Sequence, residues 1–457
     1  MSSQIDPPLR RLMIVMLLGG VMGVLDTTVV NVGLDRIAGD LHTSLGTIQW
    51  LPTGYLLTFA IMIPASTWAI ARFGGRRLWL TGLSVFLVGS ALCALAWDPA
   101  SLIGFRVVQG IGAGILEPTL MTVLASAAGP QRIGRLMGVL GTVVALGPIV
   151  GPILGSVIVS HADWRWIFVI NLPIGLTALL LAIRIVPKDK PAGGVRFDIV
   201  GMALLSPGFA LVVYALSKAI DGFSTPTVIG CLVGAAVLLA GYVLYGRRAS
   251  APPLDIRLFA VRGFTLGVAA MSLVGGALFS LLFLIPLYFQ QVRGYGVLTA
   301  GLLLVPQGVG AWLGMPFAGR LFERIGARPL VTAGGLLAAV GTLPYALGLN
   351  AVPVLAAASV LTGFGLGCIG APSMSTIYRS VRAESVSNAT SAIYMLNQVG
   401  AAAMVATAAL LVARTSSFRQ AFWCDIALVL VIAALGLLLR DHAQSIDDTP
   451  AEALLPA

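Results

Sequence analysis

Along this chain the polar positions fall into short clusters, and the apolar runs between them are about 20 residues long. That is the length an α-helix needs to cross the ~30 Å hydrocarbon core of a bilayer. Fourteen such runs begin near residues 11, 47, 78, 101, 133, 166, 199, 226, 263, 297, 328, 352, 385 and 419. The pattern predicts an all-α integral membrane protein with fourteen transmembrane helices. The longest connections, Val186 to Asp198 and Gly246 to Arg262, leave no room for a soluble nucleotide-binding or catalytic domain.

Composition agrees with the runs. The chain is 58% hydrophobic and 10% charged, where about 25% charged is usual, and its mean hydropathy is +0.96. A soluble fold of 457 residues could not hide so much apolar surface, so lipid is the expected solvent. The formal net charge of +10 would suggest nucleic acid in a soluble protein, but position matters more than the sum. With the N-terminus in the cytoplasm, 21 of the 28 Lys and Arg residues fall in cytoplasmic connections and 6 in the opposite set, with Arg106 inside a span. By the positive-inside rule both termini are cytoplasmic and no nucleic-acid partner is expected. Trp50, Trp68, Trp79, Trp97, Trp164, Trp166 and Trp423 lie at run ends, as in an interfacial aromatic belt. The first span follows Arg10 and Arg11 but lacks a small-x-small cleavage site, so it reads as a retained helix.

Several chemistries are excluded. The three lysines, Lys188, Lys190 and Lys218, do not follow a glycine, so no GxxxxGK[ST] phosphate loop exists. His42, His161 and His442 all lie in connections rather than spans. Cys93, Cys231, Cys368 and Cys424 form no CxxC pair and read as packing residues. An enzyme, a metal and a cofactor are therefore not expected; energy comes from a gradient, or the solute flows down its own.

Two stretches, TWAIARFGGRR (Thr67 to Arg77) and GRLFERIGARP (Gly319 to Pro329), superpose at an offset of 252 residues. Arg72 falls on Arg324, Gly74 on Gly326 and Arg76 on Arg328, whereas Glu323 has only Ala71 opposite it. They join spans 2 and 3 and spans 10 and 11. Two six-helix halves with an extra pair between them account for this offset, and such internal repeats are a transporter signature. The expected division is 1–186 for the first bundle, 187–262 for the two inserted spans, 263–440 for the second bundle and 441–457 for a cytoplasmic tail.

With LDTTVVNVGLD in span 1, LIGFRVVQGIGAG in span 4, GPIVGPILG in span 5 and WRWIFVINLPIG entering span 6, the chain resembles the major facilitator superfamily. More closely it resembles that family's fourteen-helix drug:proton antiporters, over nearly its whole length. Gly319, Leu321, Glu323, Arg324, Gly326 and Arg328 match the family loop motif; the first copy lacks the leading glycine (Thr67) and the acid (Ala71). The resemblance implies a multi-pass protein of the cytoplasmic (inner) membrane performing proton-coupled efflux of lipophilic or cationic small molecules by alternating access. It also implies a role in multidrug and antibiotic resistance. Its partners are then lipid, protons and a small-molecule substrate, and a periplasmic accessory protein is left open. A dedicated exporter of one metabolite or lipid-like compound, a solute:proton symporter and a non-transporting receptor are the alternatives.

In span 5, Gly147-Pro148, Gly151-Pro152 and Gly155 recur every fourth residue. Such a stripe lets a neighbouring helix approach closely, and each proline removes a helical hydrogen bond. The resemblance makes this the antiporter motif, a seam where the pathway opens; ordinary packing is the plainer reading.

Charges inside a span cost about 2.5–3.5 kcal/mol each on insertion scales, so they need partners or water. Asp26 lies about 22 Å along span 1 at 1.5 Å per residue, about 8 Å from the outer edge of a ~30 Å core. Arg106 lies about 8 Å into span 4 from the outside, so the two match in level, and Glu117 lies about 24 Å down. Asp26 is expected to pair with Arg106, either as a proton-coupling switch or as a static tie. Glu117 is expected either to carry a proton or attract a cationic drug, or to cap polar groups. Asp425 reads as interfacial, leaving the second half without a buried charge. Candidate cavity residues are Asn31, Tyr55, Gln109, Tyr288, Gln291, Tyr394 and Asn397. Glu323, beside Arg320, Arg324 and Arg328, is the expected cytoplasmic latch, with Arg72 and Arg76 serving chiefly topology.

Overall fold

In hydrocarbon no water satisfies backbone N–H and C=O groups, so a chain this apolar must bond them within each segment. The computed structural model describes residues 6–188, 197–219, 225–249, 252–415 and 417–439, and among these it contains helices and no strand. The side chains of residues 35, 45, 46, 297 and 298 and many in 130–156, Pro148 and Pro152 included, lie outside the described set.

The first bundle holds α1 (Pro7–Asp40), α2 (Trp50–Phe73), α3 (Gly75–Ala94), α4 (Pro99–Gly129), α5 (130–161) and α6 (Trp166–Ile185). Then come α7 (Ile199–Lys218) and α8 (Pro226–Gly246). The second bundle holds α9 (Arg262–Gln291), α10 (Val305–Ile325), α11 (Ala327–Ala346), α12 (Val352–Arg379), α13 (Val386–Thr415) and α14 (Phe418–Leu438). Among the described residues, 13 helices are long and apolar enough to cross a membrane, and α5 is the fourteenth helix. The α4–α5 run is broken at Gly129, whose φ of 67° and ψ of 171° leave the helical region. A side chain is strained at such a positive φ, so glycine suits the turn. A short helix, Val297–Leu302, precedes α10. α4 opens on a capping box: Ser101 N donates to Asp98 Oδ1 (2.7 Å) and Asp98 N donates to Ser101 Oγ (3.2 Å). The bonds from Ser101 hold the Asp98 carboxyl below its ordinary pKa.

α7 and α8 pack on one another, and α7 also lies against α2 and α13. Its Ser206 hydroxyl donates to the Ile61 carbonyl (3.1 Å). α8 turns Val233, Val237 and Leu244 outward, as a lipid-facing helix does.

The two bundles are joined on the face that carries the two arginine loops. There one buried apolar cluster runs from Leu12 and Met16 of α1 and Ile63 of α2 to Phe264 of α9, Ile377 of α12 and Ile393 of α13. On the opposite face the clusters are separate: Val30, Leu102 and Phe168 belong to one, Leu284, Tyr345 and Phe422 to the other. Polar bonds reinforce the joined face. Thr67 of α2 and Ser391 of α13 share a hydrogen bond, and Ser391 also donates to the Ile63 carbonyl (3.2 Å).

The aromatic belt is narrower than the sequence suggests. Trp50, Trp97, Trp166 and Trp423 are exposed, but Trp79 and Trp164 are fully buried, Trp79 filling the space above Gly19 of α1.

α10 and α12 cross with their backbones in contact. A Cβ on Gly363 would stand 1.8 Å from the Gln307 carbonyl oxygen, and one on Gly310 would stand 2.0 Å from that of Val360. Gly363→Val should therefore force the helices apart, costing about 1–3 kcal/mol or more and lowering the thermal unfolding midpoint in detergent. Gly39→Ala, where nothing lies within 4 Å, should leave that midpoint near wild type.

Candidate functional site

Asp26 is 1% exposed on α1, and four helices converge on it. Arg106 Nη1 on α4 donates to its Oδ2. Its Oδ1 accepts from Gln109 Nε2 (2.9 Å) and from Asn171 Nδ2 of α6 (3.1 Å). Both amides also reach Ser90 Oγ on α3, at 2.9 and 3.0 Å. Arg106 Nη1 further donates to Gln109 Oε1 (2.7 Å). The guanidinium carbon lies 4.3 Å from the centre of the Tyr55 ring on α2 and 5.8 Å from that of Phe168. A carboxylate with a cation and two amide donors is well compensated even in a dry site.

The structure thus brings Asp26 and Arg106 together, as their matched depths suggested. Ser90 and Asn171 were missed. Asn171 is a polar residue inside the WRWIFVINLPIG stretch and was legible there; Ser90 is a lone hydroxyl in an apolar run and gave no signal. Gln109 is fully buried in the network rather than facing a cavity.

The glycine stripe of α5 serves the same centre. Added Cβ atoms on Gly147 and Gly151 would strike Val24 and Thr28 side chains, at 2.2 and 1.9 Å, and one on Gly155 would meet the Val29 carbonyl at 3.1 Å. The partner that approaches the stripe is therefore α1, on both sides of Asp26, and not a helix of the second bundle.

Glu117, further along α4, is half-buried. Its Oε1 occupies a notch at Gly23, where a Cβ would stand 2.4 Å away. No hydrogen bond or ion pair to Glu117 occurs among the described residues. Tyr55 of the first bundle and Tyr394 of the second both lie close enough to feel its charge. Phe59 bridges the two tyrosines, with ring centres 6.4 Å from each. Glu117 therefore stands beside an aromatic file that crosses from one bundle to the other.

The remaining candidates scatter. Asn31 and Gln291 are exposed. Tyr288 is buried among Phe289, Tyr345, Phe418 and Phe422, inside the second bundle. Asn397 Nδ2 ties α13 to the Met271 carbonyl of α9 (2.8 Å). The reading of Asp425 as interfacial is overturned: it is fully buried on α14 and accepts from Ser280 Oγ of α9 (3.0 Å). The second bundle does hold a buried acid. The helix enters at Phe418 and packs on α9 and α11, and Asp425 lies two turns further in.

At the arginine loops, Gly74 (φ 87°) and Gly326 (φ 78°) each end one helix and cap the next, so the repeated glycine meets a repeated positive-φ turn. Gly319 is buried on α10, one turn before Glu323. Arg72 and Arg324 lie in the last turns of α2 and α10. Arg76 Nη2 donates to the Ile183 carbonyl at the end of α6 (2.5 Å), which gives it a structural role beyond topology. Arg328 is exposed at the start of α11. Glu323 Oε1 is buried without a hydrogen bond, and Arg379 at the end of α12 feels its charge. Arg379 also lies 4.6 Å above the Phe322 ring.

A family model described as Major Facilitator Superfamily matches residues 16–311 and 299–456. The chain belongs to the Major Facilitator Superfamily. It is 36% identical over 424 residues to the Multidrug resistance protein B homolog of Mycobacterium tuberculosis, covering 91% of this chain and 78% of that one. It is 32% identical over 405 residues to the Puromycin resistance protein pur8 of Streptomyces alboniger, covering 86% and 80%. In fold it is similar to the human organic anion transporter MFSD10, with a TM-score of 0.67 at 19% identity over 94% of this chain and 100% of that one. The superfamily fold, two six-helix bundles here with two further helices, is thus established from sequence and from structure.

Removing one partner of a buried ion pair costs about 3–5 kcal/mol because the other charge is left alone. Arg106→Ala should accordingly lower the thermal unfolding midpoint far more than the neutral double variant Asp26→Asn/Arg106→Gln. Equal stability of the two in detergent would show that the pair is not a support of the bundle.

Proposed function

We propose that this superfamily member exports lipophilic or cationic small molecules in exchange for protons, by alternating access in the cytoplasmic membrane, with the arginine-loop face inward. Residues 1–186 and 263–440 are the two moving bundles in this reading, and 187–262 the insert between them. The observation that carries it is Glu117, a carboxylate at the meeting of the bundles with aromatic rings beside it and, among the described residues, no protein cation bonded to it. A lone intramembrane carboxylate costs about 2.5–3.5 kcal/mol, and two ligands can relieve that cost. One is a proton. The other is a cationic substrate, which the faces of Tyr55 and Tyr394 would also attract. Competition of the two for one carboxylate is antiport: the substrate displaces the proton on the inner side, and the proton displaces the substrate on the outer side.

Asp26 takes the complementary role. Its network joins α1, α3, α4 and α6, so protonating it would leave Arg106 without its anion and loosen α1 from the stripe of α5. The joined apolar cluster on the arginine-loop face suits a conformer closed towards the cytoplasm. Glu323 and Arg379 are the latch of that face, and Thr67, bonded to Ser391, offers a tie between bundles where the first loop lacks its acid. The gradient is adequate, since one charge crossing 100 mV is worth about 2.3 kcal/mol, roughly a 50-fold concentration ratio. Two relatives named for drug resistance support export as the direction. The name of the puromycin resistance relative refers to a single drug, and this favours a dedicated exporter as the second reading.

Everted vesicles with an imposed pH gradient test this. Permeant cationic dyes and unrelated lipophilic drugs should each evoke proton release in wild type, whereas response to one compound alone would select the dedicated exporter. Glu117→Gln and Asp26→Asn should each reduce that release by about tenfold or more, at least 1.4 kcal/mol in the rate, with the protein still in the membrane. Full release in either variant would remove that residue from the coupling. At the loops, Glu323→Gln should impair efflux strongly and Ala71→Asp should change it little; the reverse ranking would place the latch at the first loop.

A further inference from the structure

The two bundles repeat a polar bond between their first and last helices. In the first bundle Asn171 of α6 donates to Asp26 of α1; in the second, Ser280 of α9 donates to Asp425 of α14. Each pair is separated by 145 residues. Ser280 follows Asp26 by 254 residues and Asp425 follows Asn171 by the same 254, close to the 252 that relates the two arginine loops. The second copy has therefore moved the carboxylate from the first helix of the bundle to the last.

It has also lost the cation. The positions 254 residues after Arg106 and Gln109 are Val360 and Gly363. These are the residues at which α12 meets the backbone of α10, so helix contact occupies the place where the first bundle holds its guanidinium and amide. Asp425 is fully buried, its Oδ1 has no hydrogen bond, and no ion pair to it occurs among the described residues. The titratable groups that α9 and α11 place near this part of α14 are the phenols of Tyr288 and Tyr345, both packed on Phe422, three residues before Asp425. On its own helix Cys424 is adjacent, and Arg419 is turned away to the Ala346 carbonyl (3.1 Å). A buried charge needs a partner, as Asp26 has in Arg106, and a single hydroxyl is a poor substitute.

We propose that Asp425 is a further proton-binding residue, internal to the second bundle, which holds its proton where α9 and α14 meet and exchanges it during the transport cycle. The exchange breaks one O–H bond and passes the proton to water admitted between those helices, leaving a carboxylate that Ser280 alone cannot compensate. Loss of the proton thus favours separation of α9 from α14, and its return favours the closed contact seen here. The proposal rests on proton-coupled transport, but the first measurement below does not.

Infrared difference spectra of the purified protein in liposomes, taken across a pH step, should show a protonated-carboxyl stretch that Asp425→Asn removes and Ser280→Ala shifts. Asparagine keeps an oxygen that can accept from Ser280, so the fold should persist; if it does not, Asp425→Glu should shift the band instead of removing it. Spectra with no component that responds to these substitutions would overturn the proposal. In proteoliposomes Asp425→Asn should also lower the number of protons released per substrate by one while substrate binding is retained. An unchanged ratio would overturn it too. Wild type that moves no protons while keeping the band would sink the transport reading and leave Asp425 as a proton-binding residue.

Discussion

A buried carboxylate must be answered by charge or by a proton, and the first bundle is organised around that requirement. Asp26 is met by Arg106, Gln109 and Asn171, and Ser90 connects the two amides. Four helices are committed to this one side chain. The glycines of α5 then bring their own helix against α1 above and below it, so backbone proximity and polar satisfaction reinforce one another. Displacing α1 without breaking the network is difficult, and the proposed proton coupling at Asp26 draws on that constraint.

The other two embedded acids are treated differently. Among the described residues Glu117 has no cation partner, and it lies at the meeting of the bundles, with Tyr55 and Tyr394 in reach of its charge. Among the described residues Asp425 has no cation partner either, but it is fully buried on a helix that packs on α9 and α11 of its own bundle. Three carboxylates therefore occupy three settings: one compensated, one half-buried beside aromatic rings and one fully buried. The same physical cost, that of a charge without water, is met by a cation and two amides at Asp26, by a notch beside Gly23 at Glu117 and by one hydroxyl at Asp425.

The asymmetry of the arginine loops belongs to the same picture. Both loops use a positive-φ glycine to turn sharply between helices, and both place arginines on the polar face. Only the second adds an acid, Glu323, near the Arg379 charge at the foot of α12. Where the first loop has Thr67 in place of the motif's glycine, the hydroxyl instead meets Ser391 across the bundle interface. On that face the charge lies within the second bundle, and the neutral hydrogen bond crosses from one bundle to the other.

Helix number, the repeat and the family were legible in the sequence because they depend on local quantities: apolar run length, glycine spacing and the position of arginines. The pairing of Asp26 with Arg106 was legible for a related reason, since a fixed rise per residue converts sequence position into depth. What depth cannot supply is azimuth, the direction in which a helix face points. Asp425 looked interfacial because it is near a helix end, yet its face is turned into the bundle. Tyr288 looked available as a lining residue and is enclosed by aromatic rings, while Ser90 and Asn171 join Asp26 only because α3 and α6 present those faces to α1. In a membrane the residues on both faces of a helix are apolar for different reasons, one meeting lipid and the other meeting protein, so hydropathy cannot separate them and only the packing of the helices decides.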